Sequence, residues 1–268
     1  MKKPLFSIII PCYDDGKYLR EVMESVERCD ENLYQAIIVN DGSTDAETLK
    51  ILSELEAKNY SVIHQANKGL GAARNAGINR ATGAYILPLD SDNRIHPAYL
   101  SLSLKIFERD AKVGVVYGNA RFFGEKEGVW QVPEFEIERF LVGNFIDACA
   151  VFRREVWEQV GGFDEKMPQQ GWEDWDFWVS ATEKGWTFEH LNKIVFDYRV
   201  RSDSMISEFR DKVEPLEIKK YMLAKHSDFF LLLAKKLFER KELLEAKIEW
   251  FERKPFRSFA RTVKKKFL

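Results

Sequence analysis

The sequence has few cysteines and no long apolar run. Its three cysteines, Cys12, Cys29 and Cys149, form no C-x-x-C pair and are odd in number, which argues against a disulfide framework and a thiolate zinc site. The longest apolar run outside the opening strand, Phe229–Ala234, is far shorter than the roughly 20 residues of a membrane-spanning helix. The apolar stretch near the N-terminus is cut by Pro11 and lacks a small-residue cleavage site, so it is typical of a first strand and not of a signal peptide. We therefore expect a cytoplasmic protein in a reducing compartment.

Two nucleotide-binding fingerprints are also absent. A Rossmann dinucleotide site needs G-x-G-x-x-G after the first strand, but the sequence there is PCYDDG, residues 11–16. The chain contains no G-x-x-x-x-G-K-[ST] phosphate loop. A phosphatase of the D-x-D type would carry its nucleophilic aspartate after an early strand, whereas the D-x-D pair here follows the fourth predicted strand. These absences argue against a nicotinamide or flavin enzyme, a P-loop NTPase and that class of phosphatase.

Charge is unevenly distributed along the chain. The formal net charge is −2. Residues 235–268 contain twelve Lys or Arg against five Glu, a net charge of +7, which leaves −9 for residues 1–234. An acidic body without a recognised nucleic-acid module predicts no nucleic-acid partner.

Short β-branched runs alternate with longer amphipathic segments in the first 117 residues. The runs are 6–10, 36–40, 61–64, 84–89 and 113–117, and the segments between them are 18–29, 46–58, 71–82 and 97–110. This alternation predicts an α/β fold with a mainly parallel central sheet flanked by helices. Ligands of such open sheets bind outside the carboxyl ends of the strands, so residues directly after each run are the first candidates for a site.

The pattern becomes less regular after residue 120. We expect a strand near 148–152, a helix near 154–160, a helix that starts near Glu173 and a strand near 194–200. From Leu216 the sequence is strongly helical and charged. The predicted organisation is one domain over residues 1–215, with halves 1–118 and 119–215, followed by a helical basic C-terminal extension over 216–268.

Polar clusters follow three of the predicted strands, at Pro11–Asp15, Asn40–Asp45 and Asp90–Asn93. Each cluster alone is explained by ordinary turn and N-cap chemistry, but together they place several carboxylates on one edge of the sheet. Asp90 and Asp92 repel each other unless a cation lies nearby, and Mg²⁺ or Mn²⁺ is commonly held by one or two carboxylates plus substrate phosphates. The pair is therefore suited to half of a site that a diphosphate completes.

The segment NKGLGAARNAG, Asn67–Gly77, follows the third strand. Its glycines allow close backbone approach, the start of the next helix presents free N–H groups, and Lys68 and Arg74 add positive charge. These features suit an anionic group. A glycine-containing loop that leads into a solvated helix is the open alternative.

The segment GWEDWDFWV, Gly171–Val179, places Glu173, Asp174 and Asp176 at the start of a predicted helix. The helix dipole favours anions there, so N-terminal capping explains them. A carboxylate among tryptophans is also suited to act as a general base beside a sugar, since aromatic rings present apolar faces. The three tryptophans recur every three residues, which fits core packing as well as a sugar platform.

Taken together, six segments resemble family 2 glycosyltransferases, inverting enzymes with the GT-A fold. In chain order they are FSIIIPCYDDGKYLREVMESV, IIVNDGSTD, NKGLGAARNAGI, ILPLDSDN, GGFDE and GWEDWDFWV, and the resemblance covers about residues 5–210. It implies a nucleotide-diphosphate-sugar donor, with a UDP-sugar favoured, Mn²⁺ or Mg²⁺ as cofactor, and a glycan or lipid-linked glycan as acceptor. Residues 1–118 would bind the nucleotide sugar and residues 119–215 the acceptor.

The same resemblance assigns roles to individual residues. The residues expected at the nucleotide are Pro11, Tyr13, Asp14, Asp41, Lys68, Gly69, Arg74, Asp90 and Ser91. Asp92 would be the main metal ligand, with Asp90 beside it. Asp174 is favoured as catalytic base over Glu173, while Trp172 and Asp176 would lie near the acceptor or sugar. Many relatives carry a histidine after the last core strand, but this chain reads YRVRSDSM, and Arg201 is expected to bind the diphosphate instead.

Two other functions remain open on the sequence. A catalytically inactive nucleotide- or sugar-binding scaffold is one, although Asp92 and the Glu173–Asp174 pair argue against it. A sugar nucleotidyltransferase of related fold is the other, although such enzymes usually carry a G-x-G-T-R-type loop after the first strand, which is absent here.

The basic C-terminal end has two interpretations. Its lysines and arginines, with Phe256, Phe259, Phe267 and Leu268, are suited to peripheral attachment on the anionic inner face of a membrane. Alternatively, it packs on the core or on a second subunit of a homodimer.

Overall fold

The computed structural model describes residues 4–140, 143–202 and 215–253. The chain divides into two compact units, Met1–Tyr221 and Met222–Leu268. The sequence-based boundary after residue 215 stays a prediction. The aromatic residues expected at a membrane, in 254–268, lie outside the described residues.

Strands and helices alternate in the first half as predicted. The elements are β1 (Phe6–Cys12), α1 (Gly16–Val26), β2 (Tyr34–Asp41), α2 (Ala46–Ala57), β3 (Ser61–Gln65), α3 (Leu70–Arg80), β4 (Tyr85–Pro88), β5 (Arg94–Ile95) and α4 (Ala98–Arg109). Every residue of β1 is buried, as expected for a strand covered by helices on both faces. Helix α1 buries Leu19, Val22 and Val26, whose spacing of three and four places them on one apolar face.

The second half contains longer strands and short irregular elements. They are β6 (Val113–Gly124), β7 (Gly128–Trp130), α5 (Ile137–Phe140), β8 (Val151–Arg153), α6 (Arg154–Val160), α7 (Glu173–Glu183) and β9 (Thr187–Val200), followed by α8 (Pro215–Lys225) and α9 (Ser227–Arg253). The strand predicted at 194–200 extends back to Thr187. The elements β5, β7 and α5 are too short for periodicity to reveal.

In the described part of the chain, one sheet contains the nine strands. Its order is β3-β2-β1-β4-β8-β6-β9-β5, and β7 pairs with β6. Strands β1 to β4 are parallel to one another, as predicted, and β9 is parallel to β6. However, β8 runs antiparallel to both β4 and β6, so the second half is mixed and not mainly parallel. Because of this reversal, residues before β8 share an edge of the sheet with residues after β4.

The tryptophans of α7 belong mainly to the core. Trp175 and Trp178 are buried, at 1% and 0% exposure, and Trp178 packs against Phe152 of β8. Trp172, at the start of the helix, is partly buried and packs against Trp175. The spacing of three residues therefore reflects core packing for two of the three rings.

Candidate active site

A cavity of about 830 Å³ lies at the edge of the sheet where β1, β2 and β4 end. The segments before β8 and before α7 and the end of β9 complete its walls. Residues predicted for the site that line it are Pro11, Tyr13, Asp14, Asp41, Arg74, Asp90, Ser91, Asp92, Glu173, Asp174 and Arg201. Lys68, Gly69, Trp172 and Asp176 do not line it. The structure thus brings residues from both halves of the chain to one cavity.

Asp176 is a predicted site residue that the fold buries. It is 1% exposed and lies on α7 two residues beyond Asp174. Residues two apart on an α-helix point to nearly opposite sides, so Asp176 faces the interior when Asp174 faces the cavity. Asp176 does not line the cavity, and its role near an acceptor or sugar stays a prediction.

Asp14 joins the loops that follow β1 and β2. Its Oδ1 accepts hydrogen bonds from the N–H groups of Thr44 (2.7 Å) and Asp45 (2.8 Å). Its own N–H donates to Ser43 Oγ at 3.0 Å. Asp14 has φ +52°, an unfavourable region for a residue with a side chain, and these contacts stabilise it there. This wall of the cavity is fixed by the protein's own hydrogen bonds.

Asp41 holds the loop between β3 and α3. Its Oδ1 accepts hydrogen bonds from Gln65 Nε2 (2.7 Å) and the N–H of Lys68 (3.0 Å), and Oδ2 accepts from the N–H of Gly69 (2.8 Å). Gly69 has φ +91°, and a Cβ there would lie 2.7 Å from Gln170 Nε2. Glycine therefore suits both the conformation and the close approach. Lys68 and Gly69 shape the site through their backbone.

Arg74 links the Asp90–Asp92 pair to α7. Its buried guanidinium donates hydrogen bonds to Asp90 Oδ1 (2.9 Å) and Glu173 Oε1 (2.5 Å). Burial alone would lower the pKa of Arg74, but Asp90 and Glu173 together outweigh burial and raise it. A buried arginine is tolerated when its charge is paired and hydrogen-bonded. Arg74 therefore fixes residues 90 and 173 relative to each other.

Asp92 forms an ion pair with Arg201 from the end of β9. Arg201 Nε lies 3.0 Å from Asp92 Oδ2, and its two Nη atoms donate to Asp15 at 2.8 and 2.5 Å. Burial, and after it Asp90, raises the pKa of Asp92 to about 7 although Arg201 acts in the opposite direction. The guanidinium at this position is suited to bind a phosphate group.

Glu173 and Asp174 are adjacent, but their oxygens have different partners. Glu173 is buried and accepts hydrogen bonds from Arg74 and from the N–H of Gly171 (2.7 Å). Asp174 accepts from the N–H of Trp175 (2.7 Å) and from Asn144 Nδ2 (3.0 Å). Burial, and after it Glu173, raises the pKa of Asp174 well above its ordinary value. Such a carboxylate is a strong proton acceptor once ionised, whereas Glu173 is held by an arginine.

Asp147 lines the cavity, although sequence reasoning did not find it. Its Oδ1 accepts a hydrogen bond from the N–H of Cys149 at 2.8 Å. Burial, and after it Asp90, raises the pKa of Asp147 to about 7. The residue comes just before antiparallel β8, whereas the sequence pattern predicts site residues directly after parallel strands. An aspartate directly before the predicted strand at 148–152 was the signal available.

Arg199 is a second residue that the sequence did not reveal. Its Nε donates to the backbone oxygen of Asp92 (3.1 Å), and its N–H donates to Asn93 Oδ1 (2.9 Å). Its guanidinium also pairs with Glu21 of α1. These contacts fix the turn that carries Asp92.

The oxygens at this turn fit a hard divalent cation. Asp90 and Asp92 supply carboxylates, which Mg²⁺ and Mn²⁺ prefer as ligands. Within residues 4–140, 143–202 and 215–253, no group of three or more His, Cys, Asp and Glu side chains is placed to hold a metal ion. The site therefore fits a cation held by one or two carboxylates whose remaining ligands come from a bound substrate or water.

The chain matches the family model described as "Glycosyl transferase family 2" over residues 7–161. It is 30% identical over 207 residues to chondroitin synthase of Pasteurella multocida (strain Pm70), a match that covers 75% of this chain and 21% of that protein. It is 39% identical over 229 residues to glycosyltransferase GlyA of Streptococcus pneumoniae serotype 4, covering 77% of this chain and 32% of that protein. The chain thus spans a fifth to a third of the length of these relatives.

Solved structures share the fold. Residues 1–349 of S. aureus TarS, in complex with UDP-GlcNAc, match with a TM-score of 0.64 at 22% identity, covering 81% of this chain and 63% of that one. The mannosyltransferase PcManGT from Pyrobaculum calidifontis, in complex with GDP-Man and Mn²⁺, matches with a TM-score of 0.58 at 18% identity, covering 96% and 83%. These matches confirm the GT-A fold that the sequence segments predict. With the match over residues 7–161, the chain belongs to glycosyltransferase family 2.

Proposed function

We propose that this chain is an inverting glycosyltransferase that moves one sugar from a nucleotide-diphosphate sugar to a hydroxyl of a glycan or lipid-linked glycan. The observation that carries this proposal is the shared cavity, which holds Asp92 and Arg201 together with Asp174. Arg201, and a cation held by Asp92, are suited to the leaving diphosphate. Asp174 is suited to the attacking hydroxyl.

Asp174 is the proposed general base. It takes the proton of the acceptor hydroxyl as that oxygen attacks the anomeric carbon, opposite the bond to the diphosphate, so the configuration inverts. Asn144 and the N–H of Trp175 hold its two oxygens in place. Glu173 acts indirectly, because it is bound to Arg74 and fixes the start of α7.

The leaving diphosphate is proposed to bind beside Arg201 and the Asp90–Asp92 pair. The guanidinium of Arg201 stabilises the negative charge that develops on the diphosphate. Asp92, with Asp90, would hold Mn²⁺ or Mg²⁺, which supplies further charge stabilisation when bound. The Mn²⁺ in the PcManGT structure supports this cofactor.

The nucleoside is proposed to bind along the loops after β1 and β2, at Pro11, Tyr13, Asp14 and Asp41, which line the cavity. UDP is favoured as the nucleotide because the TarS structures contain UDP or UDP-GlcNAc. The GDP-Man in PcManGT makes GDP the second choice.

A thermal-shift screen tests the donor. UDP-, GDP-, dTDP- and CMP-sugars are added with Mn²⁺, and a sugar nucleotide that binds the folded state is expected to raise the unfolding temperature. The hit is then incubated with candidate acceptors, and release of the nucleoside diphosphate is followed with wild type and Asp174→Asn. Binding without release in the wild type would favour an inactive scaffold, and formation of a nucleoside triphosphate and a sugar 1-phosphate on addition of pyrophosphate would favour a nucleotidyltransferase.

The C-terminal extension is proposed to contact the anionic inner face of a membrane. Residues 235–268 carry a net charge of +7, and Leu231, Phe238 and Ile248 of α9 are 71%, 67% and 57% exposed. Basic residues near such a surface contribute about 1 kcal/mol each. None of the helices in the described residues is sufficiently long and apolar to cross a membrane.

Vesicle sedimentation tests this contact. The chain is expected to pellet with vesicles that contain anionic lipid and to pellet less after deletion of residues 253–268. Equal sedimentation of both forms would contradict the proposal. A doubled mass in light scattering, lost on the same deletion, would favour the homodimer instead.

A further inference from the structure

Asp147 is a cavity carboxylate that the proposed proton transfer does not use. It lies between α5 and β8, on the same cavity as Asp90, Asp92 and Asp174. The charges of Asp90 and Asp92 act on Asp147, and Asp147 in turn acts on Asp174. The residue is thus close to the proposed diphosphate site and to the proposed base.

The two oxygens of Asp147 are not equivalent. Oδ1 accepts the hydrogen bond from the N–H of Cys149, which closes a local turn and orients the carboxylate. Oδ2 has no hydrogen-bond partner among the residues that the structure describes. A ligand in the cavity could therefore use Oδ2 without disturbing the turn.

The charge of Asp147 is costly to the folded protein. Asp90 and Asp92 repel it, and Arg74, whose charge attracts it, is already bound to Asp90 and Glu173. Burial with like charges disfavours an ionised carboxylate. A group that weakens folding and lies in a cavity is a candidate for ligand binding.

We infer that Asp147 Oδ2 accepts a hydrogen bond from a hydroxyl of the sugar being transferred. The inference rests on the proposed function. The transferred sugar is bonded to the diphosphate and is attacked by the hydroxyl that the base deprotonates, so it must lie between those two groups. A sugar hydroxyl is a neutral donor, and a charged acceptor binds it more strongly than a neutral one does.

The test separates binding of the sugar from binding of the nucleotide. The Kd values of UDP and UDP-GlcNAc, and of GDP and GDP-mannose, are measured by calorimetry with Mn²⁺ for wild type, Asp147→Asn and Asp147→Ala. For the pair that binds, the affinity gained from the sugar is expected to fall about tenfold in both variants, the loss typical of one hydrogen bond to a charged group. The Kd of the nucleoside diphosphate is expected to stay nearly constant.

Asp147→Asn adds a readout that a purely structural role would not give. Its side-chain carbonyl still accepts the hydrogen bond from Cys149, but the uncompensated charge is gone. We therefore expect the ligand-free variant to unfold at a higher temperature than wild type at pH 8. A lower unfolding temperature together with weaker UDP and GDP binding would mark Asp147 as a folding residue and overturn the inference.

Asp110→Ala is the matched control. Exposed Asp110 accepts a turn hydrogen bond of the same kind, from the N–H of Lys112 at 2.8 Å, but lies outside the cavity. The affinity gained from the sugar is expected to be unchanged in this variant. If the Asp147 variants keep the wild-type gain in affinity from the sugar, the inference alone is overturned. The same holds if the wild type gains no affinity from the sugar. A wild type that binds none of these four ligands and no sugar nucleotide in the thermal-shift screen overturns the proposed function, and this inference with it.

Discussion

The two walls of the cavity use their carboxylates differently. On one wall, in the loops that follow β1 and β2 and the loop that leads into α3, Asp14 and Asp41 each accept three hydrogen bonds from the protein. On the other wall, Asp92, Asp147 and Asp174 are partly buried near like charges, and the pKa of each is raised. We call the first the nucleoside wall, after its proposed ligand, and the second the transfer wall, after its proposed reaction.

The first wall therefore provides the shape of the site, and the second provides its reactive charges. The nucleoside wall is held by hydrogen bonds that also fold the loops, so it is preorganised for its ligand. The transfer wall keeps charge at a cost in stability, which a cation, a diphosphate and a sugar can offset when they bind. Variants should therefore affect binding and catalysis on the transfer wall more than they affect folding.

The largest expected effect is on the proposed base of the transfer wall. Asp174→Asn keeps the shape of the side chain but cannot take a proton, so transfer should fall about a thousandfold. Donor affinity should change little. The rate of nucleoside diphosphate release and the donor Kd are the two measurements. If Glu173→Gln abolishes transfer while Asp174→Asn retains it, the base has been assigned to the wrong residue.

Arg74 joins the transfer wall to α3, and its loss should reduce folding stability. Arg74→Ala leaves buried Glu173 without its cation, and breaking such a pair costs about 3 kcal/mol or more. Denaturant unfolding measures this change. Arg20→Ala is the control, because the Arg20–Glu54 pair is exposed and its loss should cost far less than loss of the buried pair. Equal losses of stability in the two variants would show that Arg74 is not essential for joining α3 to the transfer wall.

Asp92 tests whether the transfer wall holds a metal ion. Asp92→Ala should weaken the Mn²⁺-dependent part of UDP affinity at least about tenfold, because a direct ligand is lost. UDP affinity without metal is the reference. Full metal-dependent activity in this variant would remove Asp92 from the metal site.

The smallest expected effect concerns pH and the ligand-free protein. In the folded state the pKa values of Asp92 and Asp147 are raised to about 7, above the ordinary value. The folded state therefore holds protons more tightly, so the stability from these groups is present at low pH and is lost as pH rises through about 7. Between pH 6 and 8, stability should fall by roughly 1 kcal/mol for each of the two groups. Thermal unfolding measured at pH 6 and at pH 8 should show a smaller fall in stability for Asp147→Asn than for the wild type.

Much of this site could be predicted because the carboxyl ends of parallel strands lie at the same edge of the sheet. Asp14 and Asp92 follow β1 and β4, and Asp41 is the last residue of β2, so strand prediction alone placed them together. Asp147 could not be found in this way, because the direction of β8 depends on its pairing with β4 and β6, which periodicity does not show.

Partners that are distant in the sequence were also beyond prediction. Arg74 was expected to bind an anionic ligand, and its charge suits that role. In the structure its partners are protein carboxylates, one of them 99 positions away. Side-chain pairing over such a distance is set by the fold and leaves no trace in local spacing.

That distance has a consequence for synthesis of the chain. Arg74 and Asn75 leave the ribosome long before Glu173 and Phe163, to which they donate hydrogen bonds. Helix α3 is therefore synthesised before the native partners of its arginine charge and its asparagine amide. A fragment that ends at residue 118 would keep them in this state permanently. The two halves recognised in the sequence are therefore expected to fold as one cooperative unit, and to be inseparable by truncation.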